Sequence, residues 1–296
     1  MILQILVNSI LSAMLLALIA IGFNMIFNVS KIFHLAHGAF YTSAVYLFYG
    51  LRSIIGKHLS LVPTILVSIV TSLLGIGLLI LLVEYFIYRP LIKSKSNPVI
   101  SLISSLCVYL VMINILILIF GNDSITLNPS YAIIIDNKFF RMTTADMVVF
   151  VFGTIVIASV LLFTRTNLYN QIKAISDSTL IAKKFGINEQ RIRIIVFLVG
   201  TILVGIAGIL KANQTAFEPN LGLTAILTAS AAVIVGGVNS LTGTLIACFV
   251  IALLENFSVA IIPAIWKDSL TYFLLIMVLV FYRKGLISIK QRIETR

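Results

Sequence analysis

Two histidines three residues apart are the first residues in this sequence that could do chemistry. His34 and His37 have the spacing of one helix face, and imidazole nitrogens bind metals and carry protons. A metal site needs at least a third protein ligand, and the nearest acid downstream is Glu84. We therefore interpret the pair either as bonded to backbone at a helix break or as part of a pathway or gate, with a metal site as the weakest alternative.

Two acidic residues lie inside long apolar stretches. Glu84 precedes Arg89 closely in the sequence and is expected to pair with a base near the end of its helix. Glu255 lies beside Asn256, well inside the apolar stretch 243–262. A charge buried in lipid costs about 3 kcal/mol on insertion scales, so it faces a partner or water. Glu255 is thus either a substrate-path or inter-helix contact, or a helix-end residue that reaches outward.

The sequence contains no phosphate-binding loop. A Walker A loop reads Gly-x-x-x-x-Gly-Lys-Ser/Thr, so that backbone amides and the lysine surround a phosphate. The nearest approach, Gly50 to Gly56-Lys57, is one residue too long and is followed by His58. No Ser/His/Asp or paired-aspartate arrangement of an intramembrane protease is present either. We expect no catalytic residue and no metal site, and any ATP hydrolysis would belong to another subunit.

The elements that must position these residues are membrane helices. Of the 296 residues, 60% are hydrophobic and 10% are charged, with a mean hydropathy of +1.14, whereas soluble domains carry about 25% charged residues. The composition predicts an all-α fold, a polytopic integral membrane helical bundle. The candidate spans are 5–27, 39–51, 62–87, 99–120, 145–163, 194–213, 223–237, 243–262 and 269–283.

Two of these stretches are short and lie beside polar, glycine-rich breaks. The stretches 39–51 and 223–237 fall below the roughly 20 residues that a bilayer requires, so each is a candidate for a re-entrant or broken helix. We predict seven to nine spans with broken or re-entrant helices. Interrupted segments in both halves of a chain are typical of a transporter's pathway. The candidate pathway residues are His34, His37, Gly38, Gly236, Gly237, Asn239, Gly243 and Glu255.

The charge of the chain is explained by topology. It has 21 Lys and Arg against 10 Asp and Glu, a net +11. Cytoplasmic loops of membrane proteins collect Lys and Arg, so we place 89–98, 164–193 and the C-terminal tail in the cytoplasm. The segments 121–144 and 214–222 are then external, and nine crossings put the N-terminus outside. Nucleic acid is not expected as a partner.

The basic segment 164–193 is predicted to contain an amphipathic helix over 171–185, ended by Gly186 as its C-cap. Such a cytoplasmic helix either lies on the lipid surface or docks into a groove of a partner protein. The apolar residues that cannot all face water are Ile172, Ile175, Leu180 and Phe185.

Four short motifs follow one another along the chain. They read His34-Leu35-Ala36-His37-Gly38, Tyr88-Arg89-Pro90-Leu91, Lys173-Ala174-Ile175-Ser176-Asp177 running on to Gly186-Ile187-Asn188, and Gly236-Gly237-Val238-Asn239-Ser240-Leu241-Thr242-Gly243. In this order the chain resembles the membrane permease subunit of the branched-chain amino acid type of bacterial ABC importer, over nearly its whole length. It departs from the family pattern at His34, where Asn is usual, at Asn239, where Gly is usual, and at Ser176, which replaces one acid of a pair.

The resemblance implies that 1–296 is a single transmembrane permease domain with 164–193 as its cytoplasmic coupling segment. It implies a subunit of an ATP-binding cassette importer that moves small polar solutes, branched-chain or other amino acids, by alternating access across the cytoplasmic (inner) membrane of a prokaryote. Permeases for urea or short amides share these motifs. A stand-alone secondary transporter or channel is the alternative class, and a charged relay within the spans would favour it.

The resemblance also implies the partners. They are cytoplasmic ABC ATPase subunits that use ATP and Mg, a second, related permease in a heterodimer, an extracytoplasmic solute-binding protein and membrane lipid; the chain itself is expected to bind no cofactor. Phe185 and Ile175 are expected to anchor the coupling helix in the ATPase, with a polar rim around them. The expected ATPase-coupling residues are Ala174, Ile175, Asp177, Ala182, Lys183, Lys184, Phe185 and Gly186.

Overall fold

The computed structural model describes residues 2–94, 97–127, 133–136, 141–261, 263 and 266–281. Within them the chain forms a helical bundle with one short antiparallel β-hairpin, which confirms the all-α membrane fold. The elements are α1 Ile2–Ser30, α2 Ala36–Ile55, α3 Leu61–Val83, a π-helical turn Glu84–Tyr88, α4 Arg89–Lys93, α5 Pro98–Phe120, β1 Ile133–Asp136, β2 Arg141–Thr143, α6 Thr144–Phe163, α7 Asn167–Asp177, α8 Thr179–Lys184, α9 Glu189–Gln214, α10 Leu221–Gly236, α11 Leu241–Ser258 and α12 Lys267–Phe281.

Among the described residues, six helices are long and apolar enough to cross a membrane by themselves: α1, the continuous helix Leu61–Lys93, α5, α6, α9 and α11. The remaining three predicted stretches are also helical, as α2, α10 and α12. The described part of α10 has 16 residues and that of α12 has 15, while α2 carries polar residues such as His37 and Arg52. The stretch 39–51 was predicted to be too short to span a bilayer, and this is corrected, because it lies within the 20-residue helix α2. The stretch 223–237 is short as predicted, because α10 has only 16 residues.

Helix α1 is the central helix of the bundle. It is apolar on every side, and a helix without a polar face is stable only when it is surrounded. Its side chains from Ala17 to Ile26 are buried, and α9 and α11 pack against it most extensively. Helices α3, α5 and α6 instead expose many large apolar side chains, which fits a lipid-facing position.

Several helix crossings depend on glycine. A Cβ atom placed on Gly22 would lie 2.8 Å from the Gly200 carbonyl oxygen, and Cβ atoms on Gly38 and Gly222 would collide with each other's backbone. Small residues let helix backbones approach closely in lipid, where packing replaces the hydrophobic effect as the force between helices. The first crossing brings α9 against α1, and the second brings α10 against α2.

Two contacts show which loops share an end of the bundle. Ile125 and Phe217 exchange backbone hydrogen bonds of 2.9 Å in both directions, which joins the two segments predicted to be external. The Lys31 ammonium donates to the Ser176 carbonyl at 3.1 Å, which joins the first helix break to the segment predicted to be cytoplasmic. The pairing of loops is therefore the one that the positive-inside rule predicts. The basic C-terminal tail beyond residue 281 lies outside the described residues.

The predicted helix over 171–185 is in fact two helices, α7 and α8, which is a correction. The break is at Ser178, whose extended backbone (φ −160°, ψ 109°) ends α7 and begins α8. Its hydroxyl oxygen accepts from the Ile181 amide at 3.4 Å, the local side-chain bond by which serine favours helix starts over helix interiors. The predicted C-cap is confirmed, because Gly186 has φ +76° and Ile187 donates to the Ala182 carbonyl in a Schellman arrangement.

Candidate translocation and coupling site

The first helix break lies between α1 and α2 and is held by side chains of other helices. His34 is completely buried, and its Nδ1 lies 2.9 Å from the Tyr88 hydroxyl oxygen. The backbone amide of Ala36 donates to the Ser105 hydroxyl at 3.0 Å. His34 is therefore bonded to a side chain and not, as one interpretation of the sequence had it, to backbone. Tyr88 and Ser105 are functional candidates that the sequence reasoning did not identify.

His37 lies beside His34 in the same buried core. The two ring centroids are 5.5 Å apart, and neither ring nitrogen of His37 has a hydrogen-bond partner of acceptable geometry within the described residues, although the Ile19 carbonyl is nearby. In that part of the chain no three His, Cys, Asp or Glu side chains converge as a metal site would require. A pathway or gating role for His34 and His37 stays a prediction.

The second helix break joins α10 to α11 and is held by two asparagines of α1. The Val238 carbonyl accepts from the side-chain amides of Asn24 and Asn28, both at 2.8 Å. Asn24 also donates to the Thr244 hydroxyl at 3.2 Å. Asn24 and Asn28 were missed from the sequence, although two amides one helix turn apart at the end of an apolar span are a signal of intramembrane polar contacts.

The glycines of this break allow a tight crossing. Cβ atoms on Gly236 and Gly243 would each collide with the other's backbone. Gly237 adopts φ +95°, a conformation that favours glycine. Asn239, at the tip of the break, is exposed. The predicted residues of this motif thus come together at one place, and their observed role is to shape the backbone.

Helix α1 brings the two breaks near each other. His37 Nε2 would lie 3.0 Å from a Cβ atom on Gly22, and Asn24, which holds the second break, is two residues further along the same helix. The predicted pathway residues of both breaks therefore lie against the last third of α1. Gly38, one residue after His37, contacts the start of α10 at Gly222.

Glu255 is separate from the breaks. It is buried near the end of α11, where its carboxylate lies 3.2 Å from the Lys267 ammonium and accepts from the Thr271 hydroxyl at 2.6 Å. Both partners belong to α12. Of the interpretations drawn from the sequence, the inter-helix contact is the one observed, because the side chain bonds to a neighbouring helix.

Glu84 pairs with a base, as predicted, but the base is remote in sequence. Arg193 Nε lies 3.0 Å from Glu84 Oε1, and the two side chains are 5% and 3% exposed. Arg193 Nη1 also lies 3.4 Å from Glu189, which in turn lies 2.8 Å from the Lys183 ammonium on α8. Arg193 was counted from the sequence only as one of the cytoplasmic bases, and its charge is in fact buried.

The coupling segment presents two unlike faces. Ile172, Ile175 and Ala182 are buried against the chain's own core. Leu180 and Phe185 are 77% and 81% exposed. The expectation that Ile175 anchors a partner together with Phe185 is therefore corrected, because the Ile175 side chain is already occupied within this chain.

The polar residues of the coupling segment also differ in their surroundings. Asp177 and Lys184 are exposed, Ala174 is half-buried, and Lys183 is paired with Glu189. Burial lowers the pKa of Lys31, which reaches this segment from the first break, and the nearby Asp177 carboxylate partly opposes that shift. The Ser176 hydroxyl donates to Asn28 Oδ1 at 2.9 Å, which connects α7 directly to α1.

Comparisons with known proteins show the family to which the chain belongs. The BraD permease protein of the high-affinity branched-chain amino acid transport system of Pseudomonas aeruginosa is 27% identical over 97% of this chain and 95% of its own. The corresponding Escherichia coli LivH protein is 24% identical over 92% and 91%. A solved structure, PsaBC from Streptococcus pneumoniae in complex with Fab, covers 91% of this chain and 89% of its own at 14% identity, and its TM-score of 0.49 is too low to carry an argument. The model of the family described as branched-chain amino acid transport system, permease component, matches residues 5–279, and the chain belongs to that family.

Proposed function

We propose that this chain is the membrane-spanning permease subunit of an ABC importer and moves amino acids across the cytoplasmic membrane by alternating access. Family membership and the multi-pass helical bundle support this function. The chain is interrupted between α1 and α2 and again between α10 and α11. Such breaks can rearrange without unfolding a whole span. Branched-chain amino acids are the first substrates to test, and urea or short amides are the alternatives.

The observation that carries the proposal is the exposed apolar face of the coupling segment. Leu180, Ile181 and Phe185 are 77%, 57% and 81% exposed on a pair of short helices whose other face is fixed to the bundle. An apolar helix face of this kind fits a groove of a partner protein. The exposed Lys184 and Asp177 can form the polar rim of such an interface.

The proposed partners follow from the separate tasks of the subunits in an ABC importer. Cytoplasmic ATPase subunits would use ATP and Mg, a second, related permease would complete the pathway, and an extracytoplasmic solute-binding protein would deliver the solute. The permease itself would need no cofactor, since its residues only have to bind the solute weakly and change between two arrangements.

A pull-down tests the docking face. The chain is co-expressed with a tagged ABC ATPase subunit from the same genome, and the amount of permease retained is measured. Phe185→Asp should reduce retention at least about tenfold, since it places a charge in an apolar contact, whereas the matched control Phe185→Leu should retain most of it. Undiminished retention of Phe185→Asp would argue against docking through this face.

Uptake into proteoliposomes separates the importer from the stand-alone transporter. The proposal predicts uptake of leucine, isoleucine or valine only when the ATPase, the second permease, the solute-binding protein and ATP are all present. Uptake by this chain alone, without ATP, would support a secondary transporter or channel and would overturn the proposal.

A further inference from the structure

One polar route runs from α8 to the buried end of α3. It begins at Lys183, which is exposed on the coupling segment, and passes to Glu189 at 2.8 Å. Glu189 lies 3.4 Å from Arg193 Nη1, and Arg193 Nε lies 3.0 Å from Glu84. The route thus leads from the cytoplasmic surface into a place where the charged groups are almost completely buried.

The same route continues to the first helix break. Glu84 and Tyr88 are the first and last residues of the π-helical turn, and both are buried. Tyr88 contacts His34 at 2.9 Å, and Ser105, which accepts from Ala36, lies 3.3 Å from the Tyr88 hydroxyl. Single π-helical turns in α-helices are frequent at functional sites, because they loosen the regular hydrogen-bond ladder.

A second polar route runs from α7 to the second helix break. The Ser176 hydroxyl donates to Asn28 Oδ1 at 2.9 Å, and the Asn28 amide donates to the Val238 carbonyl at 2.8 Å. Asn28 is therefore the single side chain between the coupling segment and the α10–α11 break along this route. Asn24 supports it, because it accepts from Asn28 at 2.8 Å and donates to the same Val238 carbonyl.

Burial makes the inner part of each route hard to break, namely the Arg193–Glu84 pair and the bond from Asn28 to Val238, whereas the Lys183–Glu189 pair at the start of the first route is exposed to water. Without water, a polar group that leaves its partner stays unsatisfied, which is costly. When α7 or α8 moves, the groups bonded to it should therefore move with it, because breaking the bonds would cost more.

We propose that Arg193 and Asn28 are positioning residues that tie the coupling segment to the two helix breaks by two separate polar routes. Movement of α8 reaches the first break through Arg193, Glu84 and Tyr88. Movement of α7 reaches the second break through Asn28. The contact of Lys31 with the Ser176 carbonyl also joins α7 to the first break, and it passes through neither Arg193 nor Asn28. This inference rests on the proposed function, and it assigns to one cytoplasmic segment the control of both breaks.

Hydrogen–deuterium exchange of the purified full chain in lipid nanodiscs tests the routes without any partner. The double variant Glu84→Gln with Arg193→Met should speed exchange about tenfold in residues 31–36, the effect of losing one hydrogen bond of ordinary net strength, and leave 237–244 unchanged. Asn28→Leu should do the reverse. Equal effects of both variants on both breaks, or no effect of either, would overturn the separate routes.

Transport in the assembled complex tests what the routes do. The Glu84→Gln, Arg193→Met double variant leaves no unpaired buried charge, so it should fold and keep its ATPase, yet its uptake per ATP hydrolysed should fall about tenfold. Arg193→Lys, which keeps a cation opposite Glu84, should recover much of that ratio. A purely structural role would instead lower protein yield and ATPase association and leave uptake per ATP intact in the molecules that assemble, and that result would refute the inference.

The two levels of the proposal fail separately. If the wild-type complex shows no ATP-dependent uptake, the proposed function is wrong, while the exchange pattern still decides whether the two routes exist. If wild-type uptake is normal and the double variant keeps the wild-type ratio of uptake to ATP, the transmission role of Arg193 is wrong and the importer function stands.

Discussion

Arg193 on α9 and Glu84 at the start of the π-helical turn form a nearly dry ion pair, with Nε and Oε1 3.0 Å apart. Removing the Arg193 charge leaves the Glu84 carboxylate buried without a partner, so we expect Arg193→Met alone to lower the free energy of unfolding by about 3–5 kcal/mol. Glu84→Gln should cost less, because Arg193 keeps its contact with Glu189 at 3.4 Å. The measurement is thermal unfolding of the purified chain in detergent.

The neutral double variant is the control for that expectation. Because no lone charge remains in Glu84→Gln with Arg193→Met, its stability should lie close to that of the wild type or above it. A double variant as unstable as the worse single variant would mean that the pair contributes net stability, contrary to this account.

The crossing of α2 and α10 is expected to reject any side chain at its two glycines. A Cβ on Gly38 would lie 2.8 Å from the Gly222 carbonyl carbon and closer still to its oxygen. Gly38→Ala should therefore destabilise the chain by about 1–3 kcal/mol, the usual cost of overpacking. Gly77→Ala is the matched control, because its Cβ would meet nothing nearer than 3.8 Å, and it should be neutral or stabilising by up to about 1 kcal/mol. Equal melting temperatures for the two variants would contradict the close crossing.

Gly186 is expected to matter for its backbone conformation alone. It has φ +76°, and a Cβ there would meet no atom within 4 Å. Gly186→Ala should cost about 1–2 kcal/mol in the left-handed region, and Gly186→Asn should cost less, since asparagine visits that region more readily. Retention of the permease in the pull-down should follow the same order, because the Gly186 cap ends the helix that presents Phe185. An alanine variant that binds as well as the wild type would show that the cap is dispensable.

Lys31 is expected to make stability depend on pH. Burial lowers its pKa in the folded chain, so the unfolded chain binds the proton more tightly. Between the folded pKa and about 10.5, the ordinary pKa of a lysine, the unfolded state holds more protons, and the contribution of this group to the free energy of unfolding rises with pH. The difference in melting temperature between the wild type and Lys31→Met should therefore change with pH in the alkaline range below about 10.5. A constant difference would exclude this contribution.

Composition was enough to predict the membrane bundle, since lipid permits few architectures for a chain this apolar. The sequence also predicted which loops share an end of the bundle. The basic segment 164–193 marks the cytoplasmic end, and the segment 121–144, which contains acids, marks the external end. The breaks before α2 and after α10 were recognised because they contain glycine and polar residues, which are visible in any single sequence.

The other features of the fold and of the site could not be predicted, because they depend on contacts between residues far apart in the chain. Arg193 lies 109 residues from Glu84, and Asn28 lies 148 residues from Ser176, so no local spacing could pair them. The division of the predicted 171–185 helix was missed because a serine is tolerated inside a helix as well as favoured at its start. Ile175 and Ala182, on either side of the break, are both buried in the core. Ile175 was wrongly predicted to contact a partner protein, because the periodicity of a helix shows that one face is apolar but does not show what covers that face.

The Ile125–Phe217 bridge ties the outer end of α5 to the segment that follows α9. The rings of Tyr46 and Tyr49 each contact both Phe217 and Phe120 at the same place. We expect a push on α7 and α8 to rotate the helices about this bridge, so that the helix ends that carry the two breaks move furthest.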